Sequence, residues 1–258
     1  MTKNIISKHS ITSFLLLLCS GIGVMAAQKP KPAVLVFYKT AAFYHKSIPA
    51  GLRAIQELGR ENNFSVDTTN DATQINLVNL KQYKAVIFLS TTGDILNDGQ
   101  QEAFKQYIRS GGGFMGIHAA TDCEYDWSWY GQLVGAYFGG HPAQQTATLH
   151  IADKRHPSTL HLPDPWIRKD EWYSFKWMEP GLNILVTIDE NSYSLGKLKP
   201  MGEHPMAWYH DFDGGRAFYT ELGHTEESFS EPLYLQHLLG GIQYTMGKKH
   251  FKKMKRKN

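Results

Sequence analysis

Three short apolar runs limit this chain more than any other feature: Ala33–Tyr38, Ala85–Leu89 and Phe114–His118. A strand with apolar residues on both faces must be covered on both faces, so each run calls for helices above and below it. The segments between them supply helices. Ser47 to Asn62 sets Ile48, Leu52, Ile55 and Leu58 on one helical face, with Pro49 in the first turn, where it is tolerated. Asn97 or Asp98 caps a second helix that runs to Arg109 and stops at Gly111-Gly112-Gly113. With Phe64–Thr68 as a further strand, the β-α-β-α-β alternation predicts an α/β fold with a doubly wound parallel sheet and right-handed crossovers.

The second half is less regular. Thr146–Ile151, Ile184–Ile188, Met206–Tyr209 and Arg216–Thr220 read as strands, the last two joined through Asp213-Gly214-Gly215 as an antiparallel hairpin. Pro232 to Met246 closes the fold as a helix burying Leu235, Leu238, Leu239 and Ile242. No repeat or linker divides the chain, which reads as one domain over residues 28–247 with a long insertion between residues 122 and 184.

The two ends read differently. Lys3 and Lys8 precede a largely apolar stretch from Ile11 to Met25, and Val24-Met25-Ala26 fits a small-residue cleavage site. Residues 1–27 are therefore expected to be a secretory signal, too short to be a dependable membrane span, and the protein to be periplasmic or extracellular. Lipidation at Cys19 would need a small residue before it, and Leu18 fits that poorly. Removing the leader leaves Cys123 as the only cysteine and no possible intrachain disulfide; a buried small hydrophobe is the expected role for it. The tail, residues 248–258, carries seven Lys or Arg and no acid. Without tail and leader, about 18 basic residues face 24 acidic ones, so the body carries roughly −6, which argues against a nucleic-acid groove.

Polar groups gather where strands end. Tyr44-His45 follows the first run, Thr91-Thr92-Gly93-Asp94 the second, and His118 with Asp122 the third; Glu221, Gly223 and His224 follow Arg216–Thr220. In an open α/β sheet, ligands bind beyond the carboxyl ends of the strands, so His45, Thr92, Asp94, His118 and His224 are expected to share one pocket. The insertion adds His141, Glu171 and Trp172, and His204 and Trp208 follow it. Aromatic faces beside carboxylates suit a sugar, which makes these five candidate carbohydrate ligands together with the strand-end groups His45, Thr92 and Asp94. Neighbouring residues of an extended segment point to opposite sides, so Glu171 is expected to share a face with Tyr173, and Asp170 with Trp172.

Several motifs together carry a resemblance. They are Thr40-Ala41-Ala42-Phe43-Tyr44-His45, Thr91-Thr92-Gly93-Asp94, Gly111 to Asp122, Gly139-Gly140-His141-Pro142, His156-Pro157, Asp170-Glu171-Trp172-Tyr173, His204-Pro205-Met206-Ala207-Trp208, Gly215-Arg216 and Leu222-Gly223-His224. In this order, over residues 33 to about 247, they resemble the ThuA-like (trehalose-utilisation) family. The resemblance implies a flavodoxin-like three-layer α/β/α sandwich similar to class I glutamine amidotransferases, and a role in breaking down disaccharides or oxidised (3-keto) glycosides. Amidotransferases place a cysteine nucleophile where this chain has His118, and imidazole cannot form the glutamyl thioester, so glutamine hydrolysis is not expected.

Three functions remain open at this point. In the first, His118 is a base oriented by Asp122, with His224 and Glu221 as the complementary acid, acting on a keto-glycoside whose carbonyl acidifies the adjacent C–H. In the second, His118, His141 and His224 hold a zinc ion for hydrolysis. In the third, the protein only binds sugar.

Overall fold

In the computed structural model, which describes residues 1–2 and 31–247, each apolar run is a central strand of one nine-stranded mixed sheet. The leader from residue 3 onward, Cys19 within it, and the basic tail lie outside the described residues. The parallel part consists of β1 (Ala33–Phe37), β2 (Ser65–Thr69), β3 (Ala85–Leu89), β4 (Gly113–Ile117) and β11 (Gly215–Thr220). β6 (Gln145–Ile151), β7 (Trp166–Asp170), β9 (Asn183–Ile188) and β10 (Pro205–Phe212) extend it antiparallel, in the order β2-β1-β3-β4-β11-β10-β9-β6-β7. β5 (Ala136–Gly140) and β8 (Ser174–Met178) pair separately. The sheet is thus α/β as expected, with its second half antiparallel.

Alternation along β4 sorts the helices into two layers. A side chain added at Gly113 would sit against Thr245 at the end of α5 (Pro232–Thr245), whereas one at Gly116 would meet Val134 of α4 (Ser128–Val134). Phe114, on the same face as Gly116, packs on Tyr130 of α4 and on Phe104 of α3 (Asp98–Arg109). α5 therefore covers one face, joined by α1 (Ile48–Asn62), and α3 and α4 cover the other, with the single turn α2 (Leu77–Leu80) against α3. This is the three-layer α/β/α sandwich.

Local chemistry explains the boundaries. Asn97 accepts from the Gln100 amide while the Gln100 side chain accepts from the Asn97 amide, a reciprocal cap that starts α3. Asp213 (φ 46°) and Gly214 (φ 91°) form the two-residue turn between β10 and β11, whose left-handed backbone suits the strands' twist. No helix among the described residues is long and apolar enough to cross a membrane.

Candidate functional site

β4 ends at Ile117, and the next residue, His118, bends the chain with φ at 52°. Ser90, just past neighbouring β3, does the same at 48°. A non-glycine residue in this region stores strain on the order of 1–3 kcal/mol, a cost tolerated mainly where it aims a side chain. The His118 ring is wholly buried, and its Nδ1 lies 2.7 Å from the Glu221 carbonyl oxygen. A carbonyl only accepts, so Nδ1 carries the hydrogen and Nε2 the lone pair. Tyr173 donates its hydroxyl to that Nε2 at 3.0 Å, and His224 Nδ1 stands 3.1 Å away.

Three further residues complete the cluster. His45, in the loop between β1 and α1, meets His118 and His224 edge to face at 4.8 and 5.2 Å between ring centres, and its Nδ1 is buried without a partner among the described residues. Burial first, then the nearby His118 and His224, pushes the His45 imidazole down to about 2, so it is neutral. Glu171, just past β7, reaches His224 Nδ1 at 3.0 Å and His118 Nε2 at 3.6 Å through one oxygen. Its other oxygen accepts from His141 Nδ1 at 3.0 Å. Burial raises the Glu171 carboxyl, but the His118 and His224 rings that face it outweigh this and hold the group well below the usual carboxylate range.

Buried polar contacts fix this centre from behind. Asp170 accepts from the Gly223 and His224 amides, both at 3.1 Å, and pairs with Arg168 at 2.9 Å. Arg168 also donates to Ser228 and lies over the rings of Trp166 and Tyr234. Ser47 donates to the Gly223 carbonyl, tying the His45 loop to the His224 loop. Thr92 donates to the Phe43 carbonyl, and His204 bridges the Tyr173 carbonyl and Glu190. Thr92 and His204 thus support the site from outside the histidine cluster.

The remaining sequence candidates are placed otherwise. Asp122 does not orient His118: it accepts from Tyr125 at 2.6 Å, and the Glu221 backbone takes that part. The Glu221 carboxyl is fully buried, with one oxygen on the Tyr173 amide and the other unpartnered among the described residues; burial, then Asp170 and Glu171, raises it well above its ordinary range. Asp94 lines a separate polar cavity of about 430 Å³ with Lys39, Asp71 and Thr73. Trp172 and Trp208 cannot stack on a ligand, because both are wholly buried and donate to the Gln145 and Val134 carbonyls. Cys123 is buried, and burial pushes its thiol up to about 12. Glu171 and Tyr173 both reach His118, whereas Asp170 and Trp172 bond away from it.

Tyr173, Asp170 and Arg168 matter more than the sequence suggested. The signal for the last pair was the alternation Arg168-x-Asp170, two opposite charges two apart on one strand face. Tyr173 carried no such mark.

The family model for ThuA, trehalose utilisation, matches residues 33–245. A ThuA-like protein from Bacteroides uniformis ATCC 8492 has a similar solved structure, with a TM-score of 0.74 at 22% identity over 88% of this chain and 96% of that one. Another from Parabacteroides merdae ATCC 43184 gives 0.70 at 21% identity, covering 88% and 93%. A β-galactosidase from Bacillus circulans sp. alkalophilus shares the fold at 0.57 and 11% identity; the similarity covers 84% of this chain but 31% of that enzyme. No curated protein matches the sequence significantly.

Proposed function

The chain belongs to the ThuA family, and on that premise we propose that it acts in carbohydrate breakdown by removing the proton beside the keto group of an oxidised (3-keto) glycoside. The observation that carries this reading is the His141–Glu171 pair at the edge of the buried cluster. His141 Nδ1 faces two groups that only accept, the Pro142 carbonyl at 2.9 Å and Glu171 Oε1 at 3.0 Å. It therefore carries the hydrogen, and in the neutral ring the lone pair is on Nε2 of a side chain that is 41% exposed. A base needs an accessible lone pair held by an orienting group, and this pair has both. His118 suits the task less well, being buried with both nitrogens engaged.

The chemistry needs no nucleophile. The C3 carbonyl acidifies the C2 hydrogen; His141 Nε2 takes that proton, and the electron pair forms C1=C2 as the C1–O bond breaks toward the departing sugar. The leader-like residues 1–27 support export of the protein that does this.

Proton NMR in deuterated buffer with a 3-keto derivative of trehalose tests the reading. The C2 hydrogen should be lost with the wild type and kept with His141→Gln. Binding of the keto-disaccharide without exchange or cleavage would overturn it in favour of a protein that only binds sugar.

A further inference from the structure

His118 Nε2, His224 Nδ1 and Glu171 Oε2 form a triangle with edges of 3.1, 3.0 and 3.6 Å. Two ligands on a tetrahedral ion with bonds of about 2.0–2.1 Å stand roughly 3.3–3.4 Å apart. The triangle already has the size that would seat one ion just outside its plane. His45 adds a fourth donor, since ligand atoms of all four residues lie within 4.8 Å of one another.

Two independent observations separate this cluster from an ordinary hydrogen-bond network. His45 Nδ1 is buried with no partner among the described residues, although buried polar atoms are nearly always satisfied. His118 donates its far N–H to a backbone carbonyl, the contact by which proteins fix the tautomer and direction of a metal-binding imidazole. Glu171 has the same support, with His141 holding one oxygen while the other faces the histidines.

We infer that His45, His118, Glu171 and His224 form a binding site for one divalent first-row transition ion of the zinc class. Three imidazoles and one carboxylate are the donor set such ions take. His118 bonds the Glu221 carbonyl through Nδ1 and so turns Nε2 to the ion, and His224 faces it with Nδ1. Tyr173 would give up its hydrogen bond to His118 Nε2. With four protein donors the ion would sit in a closed set and would polarise a substrate oxygen only as a fifth ligand, and His141, which is outside the set, remains available as the base. The inference goes beyond the keto-glycoside reading and stands on donor geometry whichever sugar is the substrate.

The test uses the full chain, stripped with a chelator and titrated with Co²⁺, then with Zn²⁺ as competitor. The expected result is one equivalent of Co²⁺ with the intense visible absorption of a low-coordinate site, its displacement by Zn²⁺, and a rise in Tm with Zn²⁺. His224→Gln and His45→Gln, checked for folding by circular dichroism, should each weaken binding by at least about tenfold, the loss that even a supporting outer group can bring. No visible band and no Zn²⁺-dependent Tm shift in the wild type would overturn the proposal, as would one equivalent bound unchanged by both variants. If a variant fails to fold, the wild-type spectrum alone decides. Metal bound without C2 proton exchange would sink the keto-glycoside reading and leave the metal site; exchange intact without metal binding would do the reverse.

Discussion

Acid should weaken this protein through its buried neutral histidines, and His237 measures the effect. This residue of α5 is wholly buried, donates from Nδ1 to the Ser158 carbonyl at 2.9 Å and accepts at Nε2 from Thr220 at 3.1 Å. Burial pushes its imidazole down to about 3, and burial likewise pushes His156 down to about 4. In the unfolded chain both titrate near 6.5. Below that pH the unfolded state binds protons the folded state refuses, so stability is complete above about 6.5 and falls toward the folded values. At pH 5 each group lies about 1.5 units below its unfolded pKa, which at 1.36 kcal/mol per unit costs about 2 kcal/mol apiece. Guanidinium unfolding followed by circular dichroism from pH 7.5 to 5 should show that loss. His237→Gln should abolish its own share, about 2 kcal/mol, whatever its effect on stability at pH 7.5. His45 adds to the same limb, so the difference in slope between variant and wild type is the informative quantity. Identical slopes would refute the reasoning.

Four other outcomes follow from particular contacts. Asp170→Asn leaves the Arg168 guanidinium buried with only the partly exposed Glu231 carboxylate, 3.5 Å away, to balance it and should cost about 3 kcal/mol in chemical denaturation; because Asp170 holds the His224 amide, the variant should also bind Co²⁺ more weakly. Tyr173→Phe removes the hydroxyl that competes for His118 Nε2; a hydrogen bond of net worth about 0.5–1.5 kcal/mol implies metal affinity raised by about two- to tenfold, and weaker binding would contradict that. Gly113→Ala would press a methyl against the Thr245 carbonyl and should lower stability by about 1–3 kcal/mol in thermal melts. Cys123 should react with a thiol reagent only after denaturation, since the buried thiol is pushed up to about 12; native-state reaction would contradict its placement.

The parallel half of the sheet was legible because its strands are doubly covered. A run such as Ala85–Leu89, buried at every position, has few other ways to fold, and its bounds were read to the residue. The antiparallel half was harder because its strands carry charge. β7 alternates buried Trp166, Arg168 and Asp170 with exposed Ile167 and Lys169, and a buried Arg–Asp pair hides the period-two pattern from a hydrophobic reading. β5 and β8 form a separate pair, with irregular register at Phe138 and Gly140 that blurs the same signal.

The site was legible where strand ends dictate it and illegible where the long insertion folds back. His45, His118 and His224 follow β1, β4 and β11, so parallel pairing alone brings them to one edge. Which carboxylate and which aromatic join them depends on tertiary contacts with no local signature. Asp122, four residues after His118, was the natural sequence partner, yet the chain turns there through a short 3₁₀ segment and sends it to Tyr125. Glu171 arrives instead from fifty-odd residues later, placed by the β6–β7 register and by Asp170, which grips the loop carrying His224. A tryptophan beside a carboxylate reads alike in a sugar cleft and in a core; only its hydrogen-bond partner distinguishes them, and for Trp172 and Trp208 that partner is a buried backbone carbonyl. The same reasoning explains why His141 changed standing. As a loop histidine before proline it looked like one metal ligand among several, but the Pro142 carbonyl and Glu171 both claim its Nδ1 hydrogen, so the nitrogen nearest the cluster has no lone pair to offer an ion. The buried His45, with its unpartnered nitrogen, is the better fourth ligand, and His141 is left outside it with a free lone pair.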